Sequence, residues 1–306
     1  MKKAFVLALS CAALAQTGIG ADIIAVTWPT GVYKINSTNG TGTYVGTPAF
    51  TSLNSLAKDL AGKFYTVDGS SNLIVINPTD GSGTVVATLN FAGASVDVPS
   101  MAFSPSGTLY VINRGDVDSL YTVNVSTGVG TLVGSTGSGR ILQDLAFAPN
   151  GTLYAWDIFQ GLFTVNTATG AATDVNPSEG ATANIQSLAF SPDGTLYGAQ
   201  YGLFTIDTAT GVPSSISTSG LSDVRGMEFD MGPALTLSIA THASAVTVCW
   251  NTATNKTYQL QHRLDLGATN DWADLGAAIP GNGSQVCVTN SMDAIHSFYR
   301  VTATTP

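Results

Sequence analysis

Short runs of four to six apolar and β-branched residues, separated by Gly, Pro, Asn, Asp and Ser, follow one another in a fixed order through most of the chain. The stretch Gln186–Tyr197 (QSLAFSPDGTLY) shows the unit. A strand is predicted over Ser187–Phe190, and Pro192-Asp193-Gly194 supplies a turn. A second strand runs over Thr195–Ala199 and a third over Leu203–Ile206. Asp207 to Gly211 makes a tight connection, the Asp capping it and the Gly taking a positive φ. A more polar fourth strand lies around Val212–Ile216, as an edge position tolerates. The unit recurs at Ser100–Tyr110, at Asp144–Tyr154 and, more loosely, at Ser55–Tyr65.

Two markers measure the repeat. Leu56, Met101, Leu145, Leu188 and Met227 are spaced by 45, 44, 43 and 39 residues. Gly40, Gly81, Gly128, Gly170 and Gly211 are spaced by 41, 47, 42 and 41. A period of about 40–45 residues with four short strands per unit is the pattern of propeller blades. The first copy lacks its first strand: Ile23–Thr27, Gly31–Asn36 and Thr41–Gly46 match the second, third and fourth. The missing strand is found at the far end, where Val224–Phe229 matches the first strand with no others after it. A late strand completing the first blade leaves no unpaired edge between first and last blades. The fold expected is therefore all-β, a five-bladed β-propeller over residues 21–232 closed by its C-terminal strand, then a small β-sandwich over 233–306. The repeat resembles those of secreted bacterial β-propellers of the WD40/NHL-like kind over about Asp22–Met231. That resemblance implies a fold shared by many functions.

Comparing the copies with one another locates variation. The step from the first-strand marker to the second-strand tyrosine is nine residues in all four complete copies, and from the Asn or Asp to the Gly after the third strand it is four in all five. The second-to-third connection varies from six residues (Tyr197 to Leu203) to ten (Tyr110 to Leu120). In an up-down blade these variable loops and the fourth-to-first loops share one face. Binding residues tend to sit on such loops over a rigid scaffold. The candidate ligand-binding residues there are Trp28, Asp68, Asn113, Arg114, Asp116, Asp157, Phe159, Gln160, Gln200 and Tyr201. Aromatic faces beside amides and carboxylates suit a sugar. The competing expectation is that the Asp and Asn residues cap their own turns.

Glu228 breaks the repeat, standing where other copies have Ala57, Ala102, Ala146 and Ala189. A carboxylate in a tight inner strand needs a partner. The readings are a charge interaction at the closure, where Arg225 lies nearby, a solvated channel position, or an acid working with Asp144 or Asp97. Catalysis finds little support. The histidines, His242, His262 and His296, all lie outside the repeats, and neither a G-x-S-x-G elbow nor a Cys/His pair occurs within them. A polysaccharide hydrolase or lyase with carboxylates at the channel mouth is the alternative to a non-enzymatic binding protein. Asp116 and Asp118 alone make half a calcium loop, so neither metal nor cofactor is expected.

Composition narrows the setting. The chain has 306 residues, 44% hydrophobic and 10% charged, with a formal charge of −9. Nucleic acid and anionic membranes are thereby disfavoured as partners. Lys2-Lys3, the apolar run after them and Ala13-Leu14-Ala15 read as a secretory signal over residues 1–20, bacterial in style, with Cys11 a weak candidate for lipidation. No other stretch reaches the roughly 18 apolar residues of a membrane span. A secreted, periplasmic or cell-surface protein is expected, its partner a carbohydrate or another surface protein.

After Pro233 the repeat stops, and strands are expected at Leu235–Ile239, Ala245–Asn251, Thr257–Leu264, Trp272–Ile279, Ser284–Asn290 and Ser297–Thr302. Val246, Val248 and Trp250 share one face, as do Tyr258, Leu260 and Leu264. This is similar to fibronectin type III-like sandwiches, including the closing Phe298-Tyr299-Arg300-Val301. Cys249 and Cys287 point away from the core on their strands. An exported protein permits a disulfide between them, closing about 38 residues and contributing roughly 4 kcal/mol in the chain-entropy model. His262 is expected to be half-buried structure.

Overall fold

The computed structural model describes residues 22–115, 117–137, 139–178, 180–230, 237–241, 245–252, 256–263, 272–291 and 298–304. All regular elements among them are strands, and none of the described residues forms a helix long and apolar enough to cross a membrane. Backbone contacts divide the chain into two compact units, one within Thr17–Met231 and one within Gly232–Pro306.

The first unit is a succession of four-stranded antiparallel sheets. Strands β1 (Asp22–Thr27), β2 (Val32–Asn36) and β3 (Gly42–Gly46) belong to the first. The second has β4 (Asn54–Lys58), β5 (Phe64–Val67), β6 (Asn72–Ile76) and β7 (Gly83–Thr88), and the third β8 (Ser100–Phe103), β9 (Leu109–Asn113), β10 (Ser119–Val123) and β11 (Gly130–Ser135). Strands β12 (Leu142–Phe147), β13 (Leu153–Asp157), β14 (Gly161–Val165) and β15 (Ala172–Asp174) make the fourth. The fifth contains β16 (Ser187–Phe190), β17 (Leu196–Ala199), β18 (Leu203–Ile206) and β19 (Pro213–Ser217). The next strand, β20 (Val224–Phe229), pairs with β1, Ala25 opposite Met227, and supplies the first sheet's missing strand.

Each sheet grades from a buried first strand to an exposed fourth, which is why the fourth strands read as polar and irregular. First strands lie against one another in the order β4, β8, β12, β16, β20 and again β4. Five apolar clusters fill the spaces between successive sheets, including that between the fifth and the first. The fourth residue of the SLAF-type signature and the tyrosine that ends it meet across these spaces. Tyr65 packs on Phe103, Tyr110 on Phe147, Tyr154 on Phe190 and Tyr197 on Phe229, with ring centroids 5.1–5.5 Å apart. Such pairs contribute roughly 0.5–1.5 kcal/mol each beyond their area. At the remaining space, between the first and second sheets, Ile24 and Lys58 occupy these two positions.

At the position just before the marker, the five first strands carry Ser55, Ser100, Asp144, Ser187 and Gly226, all buried. Asp144 accepts from Ser55 Oγ at 2.9 Å and from the Leu188 N–H at 2.8 Å, while Ser55 Oγ accepts the Met101 N–H at 2.8 Å. One carboxylate thereby joins three first strands, and Ser55 ties in a fourth. Gly226 completes the set because a Cβ there would come 2.1 Å from the Ser55 carbonyl carbon. The first strands are thus bonded and closely packed to one another through buried side chains and backbone.

In the second unit, β21 (Leu237–Thr241), β22 (Ala245–Asn251), β23 (Thr257–Arg263), β24 (Ala273–Asp274), β25 (Ile279–Pro280), β26 (Gln285–Ser291) and β27 (Phe298–Thr304) form two small antiparallel sheets. Val246, Val248, Trp250, Tyr258, Leu260, Tyr299 and Val301 make their common core. Leu264 lies outside the described residues. The single strand expected over Trp272–Ile279 is instead two two-residue strands, separated where Gly276 takes φ +75° and Leu275 donates to the Leu260 carbonyl. Cys249 and Cys287 face each other in register and form the expected disulfide. His262 is half-buried and stacks on Tyr299.

Candidate functional site

The two sides of the sheets are built differently. On one side lie the turns after the first and third strands. After each third strand, Asn36, Asn77, Asn124, Asn166 or Asp207 offers its carbonyl to the N–H of Gly40, Gly81, Gly128, Gly170 or Gly211 at 2.8–2.9 Å. These glycines all have φ between +72° and +80°. On the other side, second-to-third and fourth-to-first loops bond to each other: Trp28 N–H to Asp223 O (2.8 Å), Gly69 to Thr51 (3.1 Å), Arg114 to Asp97 (2.7 Å) and Leu221 to Tyr201 (3.1 Å). The loops of variable length therefore share one face, and their backbones brace one another.

Most polar candidates on that face hold its loops. Asp157 has no exposed surface; its carboxylate accepts the N–H groups of Ile141, Phe159 (2.8 Å) and Gln160 (2.9 Å). Asp68 accepts from Ser70 (2.9 Å) and Asn72 (2.8 Å). Asn113, also buried, accepts the Asp97 N–H and donates to the Ser95 carbonyl, both at 2.9 Å. Arg114 lies 3.7 Å from the Asp97 carboxylate. Gln160 donates to the Gly139 carbonyl and borders a shallow depression with Asp174, Asn176 and Thr210. Asp118 is buried and accepts the Leu142 N–H; burial raises its pKa, against which that bond and Arg114 act. Asp116 lies outside the described residues. Among the described residues no group of three or more His, Cys, Asp or Glu could hold a metal.

Three aromatic candidates stand in solvent instead: Trp28 is 43% exposed, Phe159 67% and Tyr201 50%. Phe159 lies in the β13–β14 loop of the fourth sheet. Trp28 and Tyr201 flank one loop, residues 218–223, which runs from the fifth sheet to the first. There Asp223 receives Gln200 Nε2 on Oδ1 (3.0 Å), Arg225 Nε on Oδ1 (3.0 Å) and Arg225 Nη2 on Oδ2 (2.8 Å). The guanidinium carbon of Arg225 sits 5.5 Å from the Trp28 ring centroid. Trp28, Gln200, Asp223 and Arg225 thus form one cluster, with Tyr201 on the backbone beside it. Asp223 and Arg225 are absent from the residues chosen by loop variability. The signal that could have found them is their place in the chain, immediately before the completing strand.

Arg225 thus pairs with Asp223, and the partner of Glu228 is Lys58, which itself breaks the repeat in place of phenylalanine. The Lys58 ammonium donates to the Phe229 carbonyl and interacts electrostatically with the Glu228 carboxylate. Burial pushes Glu228 up to about 7, with Lys58 opposing it. Lys58 is lowered by burial, with Glu228 and Asp230 opposing. Asp144 is raised well above the carboxylate range by complete burial, against three hydrogen bonds. Neither Asp144 nor Asp157 has exposed surface, so neither lines an open funnel.

These features define a repeat protein of four-stranded antiparallel sheets, consistent with a propeller, with one tailored loop face. The chain belongs to the family described as "Repeat of unknown function (DUF6923)", whose model matches residues 24–203. No curated protein matches it. Similar solved structures include a protein of unknown function from Bacteroides thetaiotaomicron (15% identity, 79% of this chain and 70% of that one, TM-score 0.48). A gluconolactonase from Xanthomonas campestris is 10% identical over 75% and 83% of the chains, with a TM-score of 0.45. The extracellular domain of a putative hybrid two-component system from B. thetaiotaomicron is 9% identical over 93% and 57%, with a TM-score of 0.41. At these values none carries a function over to this chain.

Proposed function

We propose that the first unit is a five-bladed β-propeller closed by β20, that residues 233–306 are a fibronectin type III-like sandwich, and that the protein is exported after loss of residues 1–20. Its function on this reading is non-enzymatic binding of carbohydrate by the loop face. The pairing of β20 with β1 and the cyclic order of first strands support the closed ring. The Cys249–Cys287 disulfide suits an oxidising compartment.

One observation carries the binding role. Most polar candidates of the loop face are engaged in holding its loops, yet Trp28, Phe159 and Tyr201 stay exposed on backbone that those bonds make rigid. Exposed aromatic rings on a braced frame lose little freedom on binding, and their faces accept the C–H surface of a sugar ring. A screen of glycans and cell-wall fractions against wild type, Trp28→Ala and Tyr201→Ala tests this. Weakened binding in the variants is expected; unchanged binding rejects the site.

A further inference from the structure

The cluster at loop 218–223 has a more specific chemistry, and the inference rests on the glycan-binding reading above. We propose that Trp28, Asp223 and Arg225 form a subsite for a neutral pyranose, gripped through two adjacent hydroxyl groups. Arginine carries five N–H donors in a planar fork. Two of them are committed to Asp223, and the guanidinium side chain keeps 26% of its surface exposed. Three remain for a ligand, both on Nη1 and the second on Nη2. On the Asp223 side, Oδ2 accepts one bond and Oδ1 two, and 16% of the side chain is exposed. The second Nη2 donor and Asp223 Oδ2, joined by the bond between them, stand side by side, which is what a pair of vicinal hydroxyls requires, each being donor and acceptor at once.

The charge state selects among sugars. The bidentate pair leaves no net charge at the cluster, and the chain as a whole carries −9. An acidic sugar therefore gains no attraction here and meets long-range repulsion. Trp28 presents the ring surface that Arg225 does not cover, and Tyr201 stands exposed on the other side of the loop. The frame is fixed in advance: Trp28 N–H is bonded to Asp223 O, Tyr201 O to the Leu221 N–H, and Gln200 orients the Asp223 carboxylate.

Calorimetric titration of the full-length protein tests this, using neutral gluco-, manno- and galacto-oligosaccharides against oligogalacturonate, at about 50 and about 500 mM NaCl. The expected result is binding of a neutral oligosaccharide with affinity independent of salt. Trp28→Ala and Arg225→Lys each weaken it by about tenfold or more, and Phe159→Ala changes it less than about twofold. Arg225→Lys keeps the charge opposite Asp223 but removes the fork, so its loss cannot come from an unpaired carboxylate. Thermal unfolding of each variant confirms that the fold is kept, and Trp28→Phe, which retains a ring, should bind better than Trp28→Ala. Preference for oligogalacturonate with salt-sensitive affinity overturns the proposal. So does loss in Phe159→Ala with Trp28→Ala unaffected, although glycan binding by the face would then stand. Binding of no oligosaccharide at all overturns the subsite and the glycan reading together.

Discussion

The turn side and the loop side of the sheets use the same residue types for opposite ends. On the turn side, Asn166 and its equivalents cap connections of one length and remain at the surface. On the loop side, Asp157 and Asn113 are drawn under loops of different lengths and are buried. Asp and Asn are turn-formers on both sides. Their identity therefore says little about function, and what distinguishes the loop side is the set of aromatic rings, Trp28, Phe159 and Tyr201, left exposed once the caps are satisfied.

The comparison is most easily broken through its caps. Asp157→Ala removes the acceptor of three backbone N–H groups at a position with no exposed surface. An unmet buried donor costs roughly 1–3 kcal/mol, so a loss of about 3 kcal/mol or more is expected in urea unfolding. Asn166→Ala, at the surface, should cost about 1 kcal/mol. Equal losses would mean that the loop-side carboxylate is no more structural than a surface cap.

The turn side has one irregularity, and it sharpens the contrast. Lys58 and Glu228 lie where the other sheets carry Phe and Ala, at the first-strand ends that face the first turn. If that side only builds the frame, restoring the repeat should be harmless. Lys58→Phe alone strands a half-buried carboxylate and should destabilise by about 2 kcal/mol. Adding Glu228→Ala should recover that loss, since removing both charges leaves neither without its compensating neighbour. Neither change should alter ligand binding. A double variant less stable than the single would show that the charges are needed.

The same pair predicts a pH dependence. Glu228 rises from 4.5 to about 7 on folding, so the fold favours its protonated form. Its contribution to stability is complete below about pH 4.5 and is lost as pH rises through about 7. Glu228→Gln should remove that decline, so the stability of wild type relative to the variant should fall between pH 4.5 and 8. Asp144 shifts in the same direction and is raised in part by Glu228, so the difference includes that coupling as well as the titration of Glu228 itself. A flat difference across that range would show that folding does not raise the Glu228 pKa.

Much of the strand order was legible because the repeat carries its own ruler. The nine-residue and four-residue spacings correspond to turns whose glycines need positive φ, and the expected completing strand, Val224–Phe229, is found with those bounds paired to β1. The site was legible only in outline. Loop-length variation pointed to the correct face, but it could not separate Asp157, buried under its loop, from Phe159 two residues on. Nor could it show that Arg225 would turn to Asp223 and Trp28 while Lys58 met Glu228. Those pairings join residues up to 197 positions apart, Trp28 and Arg225, and depend on how successive sheets are set against each other. The Trp272–Ile279 segment failed for a local reason, a glycine at positive φ inside an otherwise strand-like run.

The smallest expected effect is the most informative. Trp28→Ala, Phe159→Ala and Tyr201→Ala each remove a large side chain that is 43%, 67% or 50% exposed. Burial of the remainder is shallow, and surface substitutions away from structural contacts usually stay within about 0.5 kcal/mol. Phe159 and Tyr201 should therefore leave unfolding midpoints nearly unchanged, while Trp28, which also packs on Arg225, should cost slightly more. Natural folds keep large exposed rings on rigid loops at some cost to solubility, so neutrality in stability would mean that the rings are not there for the fold. A loss above about 2 kcal/mol in any of the three would make that ring a structural wedge and remove it from the binding face. Parallel urea titrations of the three variants decide this without knowledge of the ligand.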